Sequence, residues 1–197
     1  MPGLIDAGAA APGTTGATLG STDGSKATYR YCKLAFAMVA TPTDALVMQG
    51  SATKTVRIKR IHISGQATAQ GAMPVQLIRR LSTGGTIGSA VLTAITAGQH
   101  DNNDAAPTAT ISTVGTANYT TVQTANGLLC TDRLGLSALA TGAAGVNQDV
   151  IWEFATRSDK ALILRGTTDY IMINFNGAAI PSGGVVDFEI ETEEDNS

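Results

Sequence analysis

From Tyr29 onward, apolar residues recur at every second position in short runs, and they nowhere sustain the 3.6-residue spacing of a helix. Alternation at period 2 sends successive side chains to opposite faces, so each run reads as a strand with one dry face. The clearest runs are Gln148–Ala155 with Val150, Trp152 and Phe154 in phase, and Tyr170–Asn176 with Ile171, Ile173 and Phe175 in phase. In Val185–Thr192, Val186, Phe188 and Ile190 point inward while Asp187, Glu189 and Glu191 point outward. In Thr28–Met38, Cys32, Leu34, Phe36 and Met38 share one parity, and Tyr29, Tyr31 and Lys33 share the other. Further runs are expected at Ala45–Gln49, Val75–Leu81, Thr108–Ser112, Tyr119–Val122, Leu128–Leu139 and Ala161–Arg165, with a short strand or a turn at Ala90–Ile95 and a Gly183-Gly184 turn before the last strand.

One run changes phase. In Thr55–Ser64, Val56 and Ile58 share a parity that Ile61 and Ile63 do not, and the switch falls at Lys59-Arg60. A β-bulge there inserts one residue and keeps both pairs inside. The alternative is a strand covered on both faces. Roughly eight to ten short strands separated by turn residues point to an all-β chain. The expected architecture is an antiparallel two-sheet β-sandwich of jelly-roll type.

Composition agrees with this class. Apolar residues make up 43% and charged residues only 15% of the 197, where about 25% charged is usual for soluble domains. Residues 1–27 are rich in Gly, Ala, Ser and Thr and lack either period, which predicts a flexible N-terminal arm before a domain at 28–197 with a short acidic C-terminal tail. Aromatic residues are 5%, too few for the basic patch with stacking platforms that nucleic-acid binding requires. No secretory leader and no stretch of about 18 apolar residues is present, so a soluble chain made in a cytoplasm is expected, with no membrane partner. Cys32 and Cys130 lie in expected strands and read as small core residues rather than a disulfide framework.

Catalytic material is thin. His62 stands between Ile61 and Ile63 as a strand residue, and His100 opens the loop Gln99-His100-Asp101-Asn102-Asn103-Asp104. Asp101, Asn103 and Asp104 offer oxygen to a cation, but the spacing departs from the twelve-residue calcium loop and suits a tight turn better. Gln49–Thr55 lacks the Gly before Lys that a phosphate loop needs. No G-x-S-x-G elbow occurs. No catalytic residue, cofactor or metal is expected, and Trp152 is read as core.

Charge is distributed unevenly. Residues 1–80 hold nine Lys/Arg against three Asp/Glu, and residues 81–197 hold four against thirteen. Two groups stand out: Arg57, Lys59, Arg60, Arg79 and Arg80, and the acidic run Asp187, Glu189, Glu191, Glu193, Glu194, Asp195. They are either solvated strand faces or candidate contacts that meet across a subunit or capsid interface, where complementary charge sets register and encounter rate.

The segments Gly50–Ile58, His100–Ala106, Leu164–Thr167 and Val186–Glu191 together resemble small virion proteins of tailed bacteriophages. The resemblance spans about residues 40 to 194 and carries no catalytic signature. It implies a jelly-roll decoration or cement protein, commonly a trimer, on the outer surface of the capsid, assembled in the bacterial host cytoplasm. Its partner would be the major capsid protein. An alternative of another class is a head-fibre or tail-associated adhesion module binding a host glycan through loops such as 82–106, although those loops lack aromatic residues.

Overall fold

Val56, Ile58, Ile61 and Ile63 are all fully buried. The reason is a bulge: along the neighbouring C-terminal strand Arg60 lies opposite Glu191 and Ile58 opposite Thr192, so Lys59 has no opposite residue. One inserted residue shifts the phase and turns both apolar pairs into the same core.

The computed structural model describes residues 26–38, 44–81, 92–115, 125–138, 147–156 and 160–196. The expected arm up to residue 25 and the expected strand Tyr119–Val122 lie outside them. The strands are β1 (Ala27–Ala37), β2 (Asp44–Gln49), β3 (Lys54–Ala67), β4 (Gly71–Leu81), β5 (Leu92–Ala94) and β6 (Ala97–Gln99). They continue with β7 (Thr110–Val114), β8 (Ala125–Ala138), β9 (Val150–Glu153), β10 (Leu162–Arg165), β11 (Asp169–Asn174) and β12 (Val185–Asn196). Among the described residues there is no helix.

All twelve belong to one sheet with the order β5-β7-β2-β11-β4-β8-β3-β12-β1-β6, and β9 and β10 also pair with β3. The sheet is mixed rather than purely antiparallel, because β8 meets β3 in parallel at Gln66–Ser137 and Ala67–Ala138. It is also strongly curled. Its two ends, β5 and β6, are consecutive pieces of the single segment 92–99. Between them Ile95 N donates to Ile111 O at 2.8 Å, and just beyond them His100 N donates to Thr28 O at 3.0 Å. The chain thus ties one end of the sheet to the other.

The core fills the inside of the curl and draws on both halves. Leu46, Met48, Val75, Leu77, Ile171 and Ile173 from one half pack in the same cluster as Tyr31, Ile58, Ile61, Val150, Phe188 and Ile190 from the other. Trp152 belongs to this cluster. A smaller cluster of Val47, Val114, Tyr170 and Met172 makes β11 buried on both faces, beyond the inward Ile171 and Ile173.

Two expectations are corrected. In β1 the buried pair is Tyr29 and Tyr31, while Cys32 is exposed and Leu34 is 74% exposed. Both parities carry bulky residues, and the tyrosines win because each hydroxyl finds a carbonyl: Tyr29 donates to Ala105 O at 2.6 Å and Tyr31 to Ala109 O at 3.2 Å. A bulge between Lys33 and Phe36 then swaps the phase, and Phe36 packs on Phe188 with ring centroids 5.9 Å apart. Cys130, in contrast, is partly buried against the core. The acidic C-terminal segment is also no solvated tail. It is the second half of β12, paired with β3 as far as Asn196 opposite Lys54.

Candidate interaction face

β12 lies between β1 and β3; its outward side chains are acidic, and Arg30 of β1 and Arg57, Lys59 and Arg60 of β3 face them from the two sides. The result is a set of cross-strand ion pairs on one face of the sheet. Arg30 of β1 reaches Glu191 at 2.6 Å and Glu189 at 3.5 Å. Arg60 of β3 reaches Glu189 at 3.4 Å and Glu153 of β9 at 3.7 Å. Arg57 meets Asp195 at 2.6 Å, and Lys59 meets Glu193 at 3.5 Å. Lys26 spans Glu193 at 3.0 Å and Asp195 at 3.5 Å.

Two of these groups, Arg30 and Asp195, are shifted by their partners. The hydrogen bond to Glu191, reinforced by the charges of Glu189 and Glu191, pushes Arg30 up against the opposing effect of burial. Burial raises the Asp195 carboxyl, but the Arg57 hydrogen bond and charge, together with Lys26, outweigh it and hold that group below the usual carboxylate value. The asymmetry between a basic first half and an acidic second half is therefore met inside one chain: the halves are adjacent strands.

Arg79 and Arg80 do not join this face. They sit on β4, with β8 between β4 and β3 in the strand order. Arg79 places one guanidinium nitrogen 2.6 Å from each Asp169 carboxylate oxygen and another 2.8 Å from Ile163 O, so it ties β4, β11 and β10 together. Arg80 and Asp44 form a buried pair at 2.9 Å, and Asn174 donates to the same carboxylate at 2.8 Å.

Glu194 shares its parity with Val186, Phe188, Ile190 and Thr192, and so points inward with them. Its carboxylate has no exposed side-chain surface. It accepts hydrogen bonds from Thr108 N at 2.9 Å, Thr108 Oγ1 at 2.8 Å and Ala109 N at 2.8 Å, and Lys54 Nζ lies at 3.5 Å. Thr108 Oγ1 is also 2.7 Å from Ser51 Oγ. The carboxylate thus clamps Thr108 and Ala109 onto the ends of β12 and β3. The reading of residues 187–195 as one acidic group missed this role, although the even parity of Glu194 was the signal for it.

The charged face carries a cleft of about 180 Å³ lined by Cys32, Leu34, His62, Ser64, Asp187, Phe188 and Glu189. Cys32 and His62 both stand opposite Glu189, one strand to each side. His62 Nε2 is 3.1 Å from Asp149 Oδ2. Burial and then the Glu189 charge raise the Cys32 thiol despite Arg30, which keeps it protonated where a nucleophile needs a thiolate. In the 100–104 loop, Asp101 Oδ1 accepts from Asn103 N at 2.9 Å and Asp101 O from Asp104 N at 3.1 Å. That is a self-bonded Asx turn. Among the described residues no three His, Cys, Asp or Glu side chains gather to hold a metal.

Compared with protein-family models, with curated proteins and with solved structures, the chain matches none.

Proposed function

We propose that this chain is a structural protein of a bacteriophage particle: a decoration protein of jelly-roll type that stabilises the head by bridging major capsid protein subunits from outside. The observation that carries this reading is the use of charge. Between Lys26 and Asp195, ten ionisable side chains on one sheet face are spent on tying β1, β12, β3 and β9 to one another. Side chains used in this way make a rigid body, and rigidity is what a bridging protein contributes. It binds the assembled shell and not the dispersed subunits, so it stabilises the shell by mass action. Repetition over the particle multiplies weak contacts. The resemblance of the four sequence segments to tailed-phage virion proteins points the same way.

The test is stoichiometry. Mass-spectrometric quantification of purified particles should find many copies in a fixed ratio to the major capsid protein, and particles lacking the chain should lose their heads at lower temperature. A handful of copies per particle would place it in a tail or fibre. Absence from particles would end the virion reading altogether.

A further inference from the structure

Two Asn-Gly pairs occur in the chain, Asn126-Gly127 and Asn176-Gly177. As sequence they are equivalent: a glycine has no Cβ, so its amide nitrogen can approach the carbonyl carbon of the preceding side chain. The structure sets them apart. Ala125 and Gly127, on either side of Asn126, are paired with Arg80 and Arg79 of β4. Asn176 and Gly177 instead form the exposed tip of the turn that follows β11. Ala178 N donates to Phe175 O at 3.1 Å across this turn, and Asn176 at φ +50° and Gly177 at φ +68° are both left-handed, which defines a type I′ turn. Asparagine tolerates that region better than most residues with a Cβ. Among the described residues, neither the Gly177 amide nor the Asn176 side chain has a hydrogen-bond partner. A nucleophile and its electrophile are thus adjacent, solvated and unengaged.

We infer that Asn176 is a site of spontaneous covalent modification, deamidation through a succinimide, and that the fold directs the reaction there rather than to Asn126. Gly177 N gives its proton to water and bonds to Asn176 Cγ; the Cγ–Nδ2 bond breaks and ammonia leaves. Water then opens the five-membered ring. Attack at Cγ yields aspartate on the original backbone. Attack at the main-chain carbonyl carbon yields isoaspartate, whose backbone runs through Cγ and is one carbon longer. Ring closure requires the 176–177 peptide plane to turn over, the motion that exchanges a type I′ for a type II′ turn. The bond from Ala178 N to Phe175 O belongs to both turns, so it survives the motion. A type II′ turn prefers glycine where Asn176 stands, so the folded chain reacts more slowly than the unfolded one. At Asn126 the same rotation pulls Gly127 away from Arg79. The isoaspartate lengthens the turn between Phe175 and Ala178, both of which pack on the core. The inference does not depend on the virion reading.

The test uses the full folded chain, held in warm, mildly alkaline buffer and sampled over days by peptide mass spectrometry. The amide-to-acid mass gain is expected at Asn176 severalfold faster than at Asn126, and the difference should vanish in strong urea, where both pairs are unfolded. A protein isoaspartate methyltransferase with a labelled methyl donor should mark the peptide that holds residue 176. Gly177→Ala places a Cβ beside the nucleophile and should suppress most of the reaction. Because that Cβ also strains the left-handed turn, Asn176→Gln serves as the second block, and circular dichroism checks the fold of both variants. The isoaspartate fraction, separated by ion exchange, should melt below the aspartate fraction. A folded chain that keeps Asn176 intact while its urea-unfolded form reacts, or one that modifies both pairs at equal rates, would overturn the inference.

Discussion

Glu194 shows how one residue ties distant parts of the chain together. A buried carboxylate is tolerable only when its oxygens are fully engaged, and this one is met by two amides, a hydroxyl and an ammonium. Glu194→Ala leaves those donors facing nothing, and a loss of about 3–5 kcal/mol is expected in urea denaturation. Glu194→Gln keeps one acceptor oxygen and should cost less, about 1–3 kcal/mol. The carboxylate also bears on its neighbours. Burial first, and then the Glu194 charge, raise the phenols of Tyr29 and Tyr31 above their ordinary value. A phenol raised on folding binds its proton more tightly in the native state, so its contribution is complete below the unfolded pKa of about 10 and is lost as pH rises through the folded value. Stability should therefore fall above about pH 10. Spectrophotometric titration should show the two buried phenols ionising late, and somewhat earlier in Glu194→Gln, where burial remains but the charge is gone.

At the scale of the element, two bulges determine what faces where. Deleting Lys59 restores strict alternation and forces either Val56 and Ile58 or Ile61 and Ile63 out of the core. With four side chains worth about 1.5–3 kcal/mol each when buried, even half of that loss approaches the whole stability of a domain. The deletion variant should fail to give a cooperative thermal transition. Lys59→Ala keeps the inserted residue and removes only a half-exposed ion pair to Glu193, so its cost should stay within about 1 kcal/mol. Seeing both variants behave alike would show that the side chain, not the extra backbone unit, matters. The β1 bulge is the counterpart on the other side of β12: the tyrosines before it are buried, Phe36 after it packs partly buried against the core, and Leu34 is left outside.

For the whole molecule, closure is the governing feature. Segment 92–99 pairs with β7 at one end of the sheet and with β1 at the other, which covers two edges that would otherwise invite pairing with another chain. Ile95→Pro removes the donor that reaches Ile111 O. Amide hydrogen exchange in this variant should rise in β7 and β1 together, although these strands stand at opposite ends of the path. A rise confined to β7 would show that 92–99 adds an edge strand without closing the sheet. Because so much of the pairing joins residues far apart in sequence, such as β1 with β12, refolding is expected on the millisecond-to-second scale of high-contact-order β proteins.

Period 2 is a short-range property, and it was legible. The all-β class, the strands around Trp152, Ile171 and Phe188, and the phase change at Lys59 could be read because burial of alternate side chains needs only a few consecutive residues. Where both parities were bulky, as in β1, no local pattern could say which was inside; the answer lay with carbonyls at Ala105 and Ala109, far along the chain. The charge asymmetry was visible too, but its meaning was not, since whether opposite charges meet within one chain depends on β12 inserting between β1 and β3. The same holds for the parallel contact of β8 with β3 and for the inward turn of Glu194. Alternation dictates that a residue has a dry side, and only the long-range pairing of strands decides what waits there.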